Sequence, residues 1–271
     1  MLSLVSVTTA ALYYGWDPTQ VGPLCLVGTI SYLALLERLI PHQSGWHPGR
    51  RELIVYCAYF ALTICVSGLA QLAVTRVVGI LSPPRPAFPL WAEIPSALLL
   101  GSLVSYLAHR WAHRNSWLWR LHGVHHAPPK VNVMNNGVNH VLDVLLKQGA
   151  VQLALATAGF SRESVFAVGM FTLAQGYFAH ANVDIRLGRL GHVLAGPEQH
   201  RLHHSTDLAE AGHYGSDLSV WDHLFGSFTW RPGRVPAAVG LADPAAFPDT
   251  GDVLASLLHP WRRAAKAGAS A

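Results

Sequence analysis

The sequence is poor in charge. Asp, Glu, Lys and Arg together make up 13% of its 271 residues, whereas a soluble domain usually carries about a quarter. Cysteine is also scarce, and Cys25, Cys57 and Cys65 lie in apolar runs, so a disulfide scaffold is excluded. Their spacing is not that of a zinc knuckle. The net charge is only +4 and the basic residues form no long run, so we expect no nucleic-acid partner. Neither a GxSxG nor a Walker motif occurs.

Long apolar runs replace the missing charge and predict membrane-spanning helices. Residues 24–40 are apolar or small except near the end, and residues 53–74 form a run of 22 without any charge. A helix of that length measures roughly 33 Å, which is enough for a hydrocarbon core. Residues 94–108 form a third run, and residues 144–179 predict a helical hairpin broken at 161–163. The first 16 residues predict a short membrane-associated helix.

These runs predict an all-α fold, an integral-membrane bundle of about four or more spans with a polar helical cap. The alternative is a soluble all-helical protein with buried helices, which the uncharged run at 53–74 disfavours. We divide the chain into a membrane-spanning region at 1–108, a histidine-rich catalytic region at 109–230 and a tail at 231–271. The tail is rich in Pro and Ala, so we expect it to be loosely held, with one short helix near 253–263.

Basic residues predict the orientation of the spans. Arg50 and Arg51 follow the run at 24–40 and Arg110 follows the run at 94–108, so these two segments are expected to face the cytoplasm. The loop between them, with Arg76 and Arg85, is then expected on the other side of the membrane. This arrangement places the catalytic face in the cytoplasm, at the inner membrane if the source is bacterial.

Histidine is the residue in excess, with 16 copies against 15 acids. Thirteen of them lie between His109 and His223, and eight of these form an HxxxH box and two HxxHH boxes. On a helix, residues three and four apart share one face, so the rings of each box are expected to point the same way. The box residues are His109, His113, His122, His125, His126, His200, His203 and His204.

Eight imidazoles are too many for one ion, so two metals are implied if the box helices face each other. Neutral imidazole binds zinc, copper, iron and nickel, and the spacing alone does not choose among them. A single histidine is more often a hydrogen-bonded structural residue, and one HxxxH alone would be a weak signal. Three grouped boxes that follow an apolar run are a much stronger signal of a metal centre.

The text around the boxes resembles the fatty acid hydroxylase / sterol desaturase superfamily of integral-membrane di-iron enzymes. The resemblance covers roughly residues 95–230 and is specific at the level of the superfamily, not of the substrate. The segments that carry it are WRLHGVHH at 119–126, PEQHR at 197–201, YG at 214–215 and WDHLFGSF at 221–228.

The resemblance implies that the eight box histidines and His180 are metal ligands. His180 matches a lone ligand histidine that follows the hairpin in relatives, while Gly176 stands where some relatives have another histidine. His140 and His213 are implied either as ligands or as hydrogen-bonding neighbours, and relatives commonly have Asn where this chain has His213. The centre would therefore have nine ligands, or recruit His213 or water.

Carboxylates are expected around a centre of neutral ligands, because they hydrogen-bond the outer ring nitrogens and fix the tautomers. Each of five acids is a candidate for this role or else an exposed cap, and Asp222 is preferred for this role or a structural one: Asp143, Asp184, Asp207, Asp217 and Asp222.

The function that the resemblance implies is O2-dependent hydroxylation of an unactivated C–H bond by two iron ions. A substrate whose chain lies in the bilayer is expected, namely a fatty acyl lipid, a sterol or a carotenoid. Electrons would come from a separate donor of the ferredoxin or reductase type. A desaturase on the same site is one alternative, and a membrane metal carrier is an alternative of another class.

Overall fold

A computed structural model describes residues 2–83 and 86–262. Within these residues the chain forms ten α-helices and no β-strand, only three isolated β-bridges, which confirms the predicted all-α class. The helices are α1 (Leu2–Tyr14), α2 (Pro18–Leu39), α3 (Arg50–Leu81), α4 (Leu90–Arg114), α5 (Ser116–His126), α6 (Val141–Thr157), α7 (Arg162–Ala179), α8 (Pro197–His203), α9 (Val220–Leu224) and α10 (Val253–Leu258). Five short 3-10 helices lie at Ser44–Trp46, Val133–Gly137, Gly188–His192, Pro244–Ala246 and His259–Trp261.

Two helices are long and apolar enough to cross a membrane, by length and composition. They are Gln20–Leu39 in α2 and Leu90–Arg114, which is α4. Only 17% and 28% of the residues in their most apolar windows are buried within the protein. The uncharged run at 53–74 falls in α3, whose side chains at 66–75 are not described. The number of four or more spans therefore stays a prediction.

The predicted hairpin is present as α6 and α7, which pack against α4. Ala97, Leu155 and Val168 bring the three helices together in one buried cluster. Gly101 makes this approach possible, because a Cβ atom there would lie 3.1 Å from a methyl group of Val168. This packing fixes the position of the carboxyl end of α4, where the first histidine box lies.

Helix caps place the boxes opposite each other. Asn115 alone separates α4 from α5, and its side chain accepts hydrogen bonds of 3.0 Å from the backbone N–H groups of Trp117 and Leu118. This N-cap turns the chain sharply, so α5 folds back toward the last turn of α4. Pro197 at the first position of α8 and the Gln199 side chain, which accepts from Gly196 N–H at 3.0 Å, begin the helix that carries the third box.

The described part of the tail lies against the box region. Gly240 N–H donates to the carbonyl of His204 at 2.8 Å, and the Phe247 ring lies where a Cβ atom at Gly123 would overlap it. The Arg120 guanidinium donates to the carbonyls of Pro260 and Arg262 at 3.2 and 3.1 Å. A composition rich in Pro and Ala does not predict these contacts. The short helix expected near 253–263 is present as α10.

Two sequence predictions fall partly outside the described residues. One is the loop predicted on the far side of the membrane, because Arg85 is not described. The other is the helix predicted near 253–263, because Arg263 is not described.

Candidate metal centre

The structure gathers nine histidines into two groups, and within each group one nitrogen of every ring lies within 4.8 Å of those of the other rings. The two groups are adjacent, since the rings of His126 and His204 have centroids 4.2 Å apart. All nine histidines that the sequence analysis named as expected ligands belong to one group or the other. Group A is His109, His113, His122, His126 and His203, and group B is His125, His180, His200 and His204.

Each HxxHH box is divided between the groups. His122 and His126 belong to group A, while His125 belongs to group B. The last box is divided in the opposite sense, because His200 and His204 are in group B and His203 is in group A. On a helix, residues i and i+4 differ by about 40° in direction. Residue i+3 points about 100° away from residue i+4. Helix geometry therefore sends the pair to one group and the third ring to the other.

Backbone carbonyls set the tautomers of four of these rings. A carbonyl only accepts, so a ring whose Nδ1 contacts one carries its hydrogen there when neutral, and its Nε2 then presents a lone pair. The contacts are His109 to Tyr214 at 2.7 Å, His203 to Gly212 at 2.8 Å, His180 to Asn132 at 2.8 Å and His125 to Val138 at 3.2 Å.

Several Nε2 atoms of the two groups lack a suitable hydrogen-bond partner in the protein. The Nε2 atoms of His113, His180 and His203 are buried and make no hydrogen bond. His109 Nε2 lies 2.9 Å from His122 Nε2, although the tautomer of His109 leaves it no hydrogen to donate. Buried unsatisfied acceptors are costly, and a metal ion in each group would satisfy them. The donor set thus fits a pair of metal ions.

Burial keeps these rings neutral. It lowers the pKa of His180 and of His203 to about 4, and it lowers the pKa values of His122, His125 and His126 well below 6.5. Metal binding requires the neutral imidazole, so no proton has to leave these ligands at neutral pH.

Asp143 contacts a group A ring directly. Its Oδ2 atom lies 3.0 Å from Nδ1 of His122 and accepts from Nζ of Lys147 at 2.9 Å. Lys147 also lies 2.8 Å from the same ring nitrogen. The carboxylate is in a position to orient His122 and raise its basicity as a ligand. Sequence analysis named Asp143 but missed Lys147, which its spacing of four residues along α6 could have indicated.

Asp222 acts on the centre through the backbone. Its carboxylate accepts from the N–H groups of Tyr214 and Gly215 at 2.8 and 2.9 Å and from the hydroxyl of Ser227 at 2.7 Å. Tyr214 in turn supplies the carbonyl that orients His109. Asp222 therefore holds the loop that aims a histidine and touches none of the ligand rings itself.

His140 and His213 lie outside both groups. His140 caps α6, accepting from Leu142 N–H at 3.1 Å, and its Nε2 lies 3.0 Å from the carbonyl of Leu257. His213 has a φ of 60°, in the left-handed region where Asn and His are enriched among non-glycine residues. Its Nε2 accepts from the N–H groups of Thr229 and Trp230 at 3.0 and 2.7 Å. These contacts give both imidazoles a hydrogen-bonding role, while Nδ1 of His213 is buried and has no hydrogen-bond partner.

A cavity of about 300 Å³ opens beside group A. It is lined by the group A rings His113, His126 and His203, and by residues 240–243, 246 and 247 of the tail. Trp119 and Phe247 add aromatic walls. No ring of group B lines this cavity. Sequence analysis did not predict it, because the tail and the boxes are more than thirty residues apart.

Comparison with known proteins gives a consistent set of relatives. The chain is 29% identical over 250 residues to ornithine lipid hydroxylase OlsE of Rhizobium tropici, covering 88% of this chain and 74% of the relative. It is 30% identical to human alkylglycerol monooxygenase, over 51% of this chain and 31% of the relative. It is 23% identical to methylsterol monooxygenase 2-2 of Arabidopsis thaliana, over 59% and 61%. The chain thus spans less than two thirds of the last two, and no solved structure matches it.

The family model for fatty acid hydroxylase matches residues 94–227, which hold every histidine of groups A and B. The named relatives are hydroxylases and monooxygenases, which are oxidoreductases. The resemblance seen in the histidine boxes is confirmed, because residues 94–227 form a fatty acid hydroxylase domain.

Proposed function

We propose that this chain is a membrane-bound, O2-dependent hydroxylase that oxidises an unactivated C–H bond of a lipid-type substrate. The observation that carries the proposal is the pair of adjacent groups of buried, neutral imidazoles, in a family whose named members are hydroxylases and monooxygenases. Two of the relatives are named for ornithine lipid and alkylglycerol, and another for methylsterol. A fatty acyl lipid, a sterol or a carotenoid is therefore the proposed class of substrate.

Group A and group B would each hold one iron ion. When bound, iron would supply the redox chemistry with which O2 oxidises a C–H bond. No protein side chain can provide this chemistry. The protein holds the rings in their ligating tautomers, through the carbonyls of Tyr214, Gly212 and Asn132 and the carboxylate of Asp143. Electrons are proposed to come from a separate ferredoxin- or reductase-type donor.

The cavity beside group A is the proposed place for the reacting part of the substrate. Its group A wall brings anything bound there next to three ligand rings. Trp119, Leu241 and Phe247 give it apolar surface that suits a hydrocarbon segment and excludes water. The protein's part in the reaction is to orient that segment, since misplacement by even 1 Å lowers the rate of a positioned reaction about 100-fold.

The membrane location rests on the exposure of the apolar helices. A core helix of a soluble protein is mostly buried, whereas only 17% and 28% of the residues in the apolar windows of α2 and α4 are buried. Trp91 is 80% exposed and Leu24 is 72% exposed on these helices. Such surfaces are stable against lipid and costly in water. With the basic residues described above, we propose that the centre faces the cytoplasm, at the inner membrane if the source is bacterial.

Two alternatives differ from a hydroxylase in what they would produce. A desaturase would use the same centre and remove two hydrogens. A metal carrier would need ligands along a path through the spans, but the ligands collect at one end of α4, at His109 and His113, and in the segments that follow it. This concentration favours an enzyme over a carrier.

The test is lipid and pigment mass spectrometry of cells that express the wild-type chain or a His125→Ala variant. A hydroxylase yields a lipid heavier by one oxygen atom that is missing with the variant. A product lighter by two hydrogens selects the desaturase, and no new product with metal redistributed across the membrane selects the carrier. Purified wild-type chain that holds zinc and rejects iron would contradict the proposed chemistry.

A further inference from the structure

A single acid interrupts the apolar run at 24–40, and the structure buries it. Glu37 lies near the end of α2 and its residue surface is only 3% exposed. One carboxylate oxygen, Oε1, accepts hydrogen bonds from the backbone N–H groups of Val133 at 2.6 Å and Asn182 at 2.7 Å. A buried carboxylate is costly unless it is hydrogen-bonded, so these two amides explain how the acid is tolerated there.

Both amides belong to segments that control one group B ligand, His180. Val133 follows Asn132, whose carbonyl accepts from Nδ1 of His180 at 2.8 Å. Asn182 lies two residues after His180, just beyond the end of α7. Glu37 therefore ties the residue that aims the ring to the chain segment that carries the ring.

The residues after α2 continue the same attachment. Asp184 N–H donates to the carbonyl of Ile40 at 2.9 Å, and His42 N–H donates to the carbonyl of Asn182 at 3.1 Å. The side chain of Asn132 donates to the carbonyl of Trp46 at 3.0 Å. The two segments around His180 thus rest on α2 and its following loop, with the Glu37 carboxylate between them.

We propose that Glu37 is a positioning residue for group B, and that the metal affinity of this group depends on a carboxylate in α2 that touches no ligand ring. Group A does not depend on Glu37, because its rings are aimed by Tyr214, Gly212 and Asp143. The inference rests on the proposed function in one respect, namely that groups A and B bind metal ions.

Glu93 offers a matched control. It too is buried near an end of an apolar helix, α4, with 0% exposure. Its carboxylate accepts from Ser161 N–H at 2.7 Å, Ser164 Oγ at 2.9 Å and Ala87 N–H at 2.9 Å. These partners lie at the start of α7 and before α4, away from both histidine groups. Removing Glu93 costs comparable hydrogen bonds at the ends of α4 and α7 that are farthest along the helix from the ligand histidines.

The experiment titrates Co²⁺ into the purified, metal-free full chain in detergent and follows its visible absorption. Wild type is expected to bind two Co²⁺ per chain. Glu37→Leu is expected to weaken one site 10- to 100-fold, the range known for outer partners of metal ligands. Glu37→Gln keeps an acceptor oxygen and is expected to restore most of that affinity. Glu93→Leu is expected to bind two Co²⁺ with unchanged affinity.

The weakened site is identified by comparison with His180→Ala, which removes a group B ligand directly. Hydrogen exchange of the metal-free chain gives a second measurement, with faster exchange expected at residues 132–134 and 180–184 in Glu37→Leu but not in Glu93→Leu. If the Leu variant does not fold, Glu37→Asp takes its place, because it keeps the charge and shortens the reach.

Loss of both sites to the same extent in the folded Glu37 variant would show a general structural role and overturn the inference. Unchanged binding at both sites would overturn it as well. In either case a wild-type chain with two sites leaves the proposed function intact. A wild-type chain that binds no Co²⁺ would instead remove the metal groups, and the inference with them.

Discussion

Groups A and B are built from the chain in different ways. Group A takes four of its five rings from α4 and α5, helices separated by one residue. Group B takes one ring from α5, one from the end of α7 and two from α8 and its cap. Group A is thus largely a local structure completed by His203, whereas group B forms only when distant segments come together. Sequence separation predicts that group B depends more on tertiary contacts.

The two groups also differ in the residues that orient their rings. Group A has a charged partner in Asp143 and three rings on the wall of the cavity. Group B is aimed by the carbonyls of Val138 and Asn132, and the second of these is anchored by Glu37. We infer that group A lies next to the substrate and that group B lies on the side of group A away from the substrate.

Removing a ligand should give the largest difference between the groups. His180→Ala leaves three rings in group B, while His113→Ala leaves four in group A, enough for a four-coordinate site. We expect His180→Ala to retain about one iron per chain and His113→Ala to stay closer to two. Hydroxylation should fall more than about 100-fold in His180→Ala, beyond the effect of losing an outer partner.

Iron analysis of the purified chains and lipid mass spectrometry measure these outcomes. Greater iron loss in His113→Ala than in His180→Ala would contradict the assignment of five rings to group A and four to group B.

Filling the cavity should affect catalysis without affecting metal binding. Ala246 lines the cavity, and Ala246→Phe would occupy the space beside group A. We expect turnover to fall at least about tenfold, because the substrate is displaced from the ligand rings, with iron content unchanged. Ala245→Phe, one residue earlier and outside the lining, is the control and should retain activity. Equal activity in the two variants would exclude this cavity as the substrate site.

Neutralising Asp143 should weaken group A alone. Asp143→Asn keeps an oxygen near His122 but loses the charge, so we expect the Co²⁺ affinity of group A to fall about tenfold and that of group B to hold. Asp222→Asn is the comparison, because Asp222 contacts the backbone of Tyr214 and no ligand ring. Its expected effect is a loss of about 1–3 kcal/mol in the free energy of unfolding. A larger effect on Co²⁺ binding from Asp222→Asn would reverse these roles.

Acidification should affect both groups in the same way, because both contain buried histidines with lowered pKa values. The pKa of His203 in group A and the pKa of His180 in group B are both lowered to about 4, from 6.5, by burial. Between these values the unfolded chain takes up protons that the folded chain does not, so folding stability falls as the pH falls. We expect the metal-free chain to lose thermal stability steadily from about pH 6.5 to about pH 4 and to change little above that range. Stability that rises on acidification would contradict the neutral burial of these rings.

Local rules of sequence predicted much of this centre. The spacing of the boxes predicted shared helix faces, and the run lengths predicted the helices α2 and α4. The role of Glu37 could not be predicted, because its partners Val133 and Asn182 are 96 and 145 residues away. The packing of Phe247 on Gly123 was missed for the same reason.

The sequence by itself determined which side chains could bind metal and which helix faces they share, because those properties depend on residue type and on a period of 3.6 residues. Only the tertiary structure decided which rings of different boxes share a group. His125 joins His180, His200 and His204, and His203 joins the rings of α4 and α5, because segments distant in sequence are brought together by packing and by buried hydrogen bonds. Spacing along the chain carries no information about which of these segments meet.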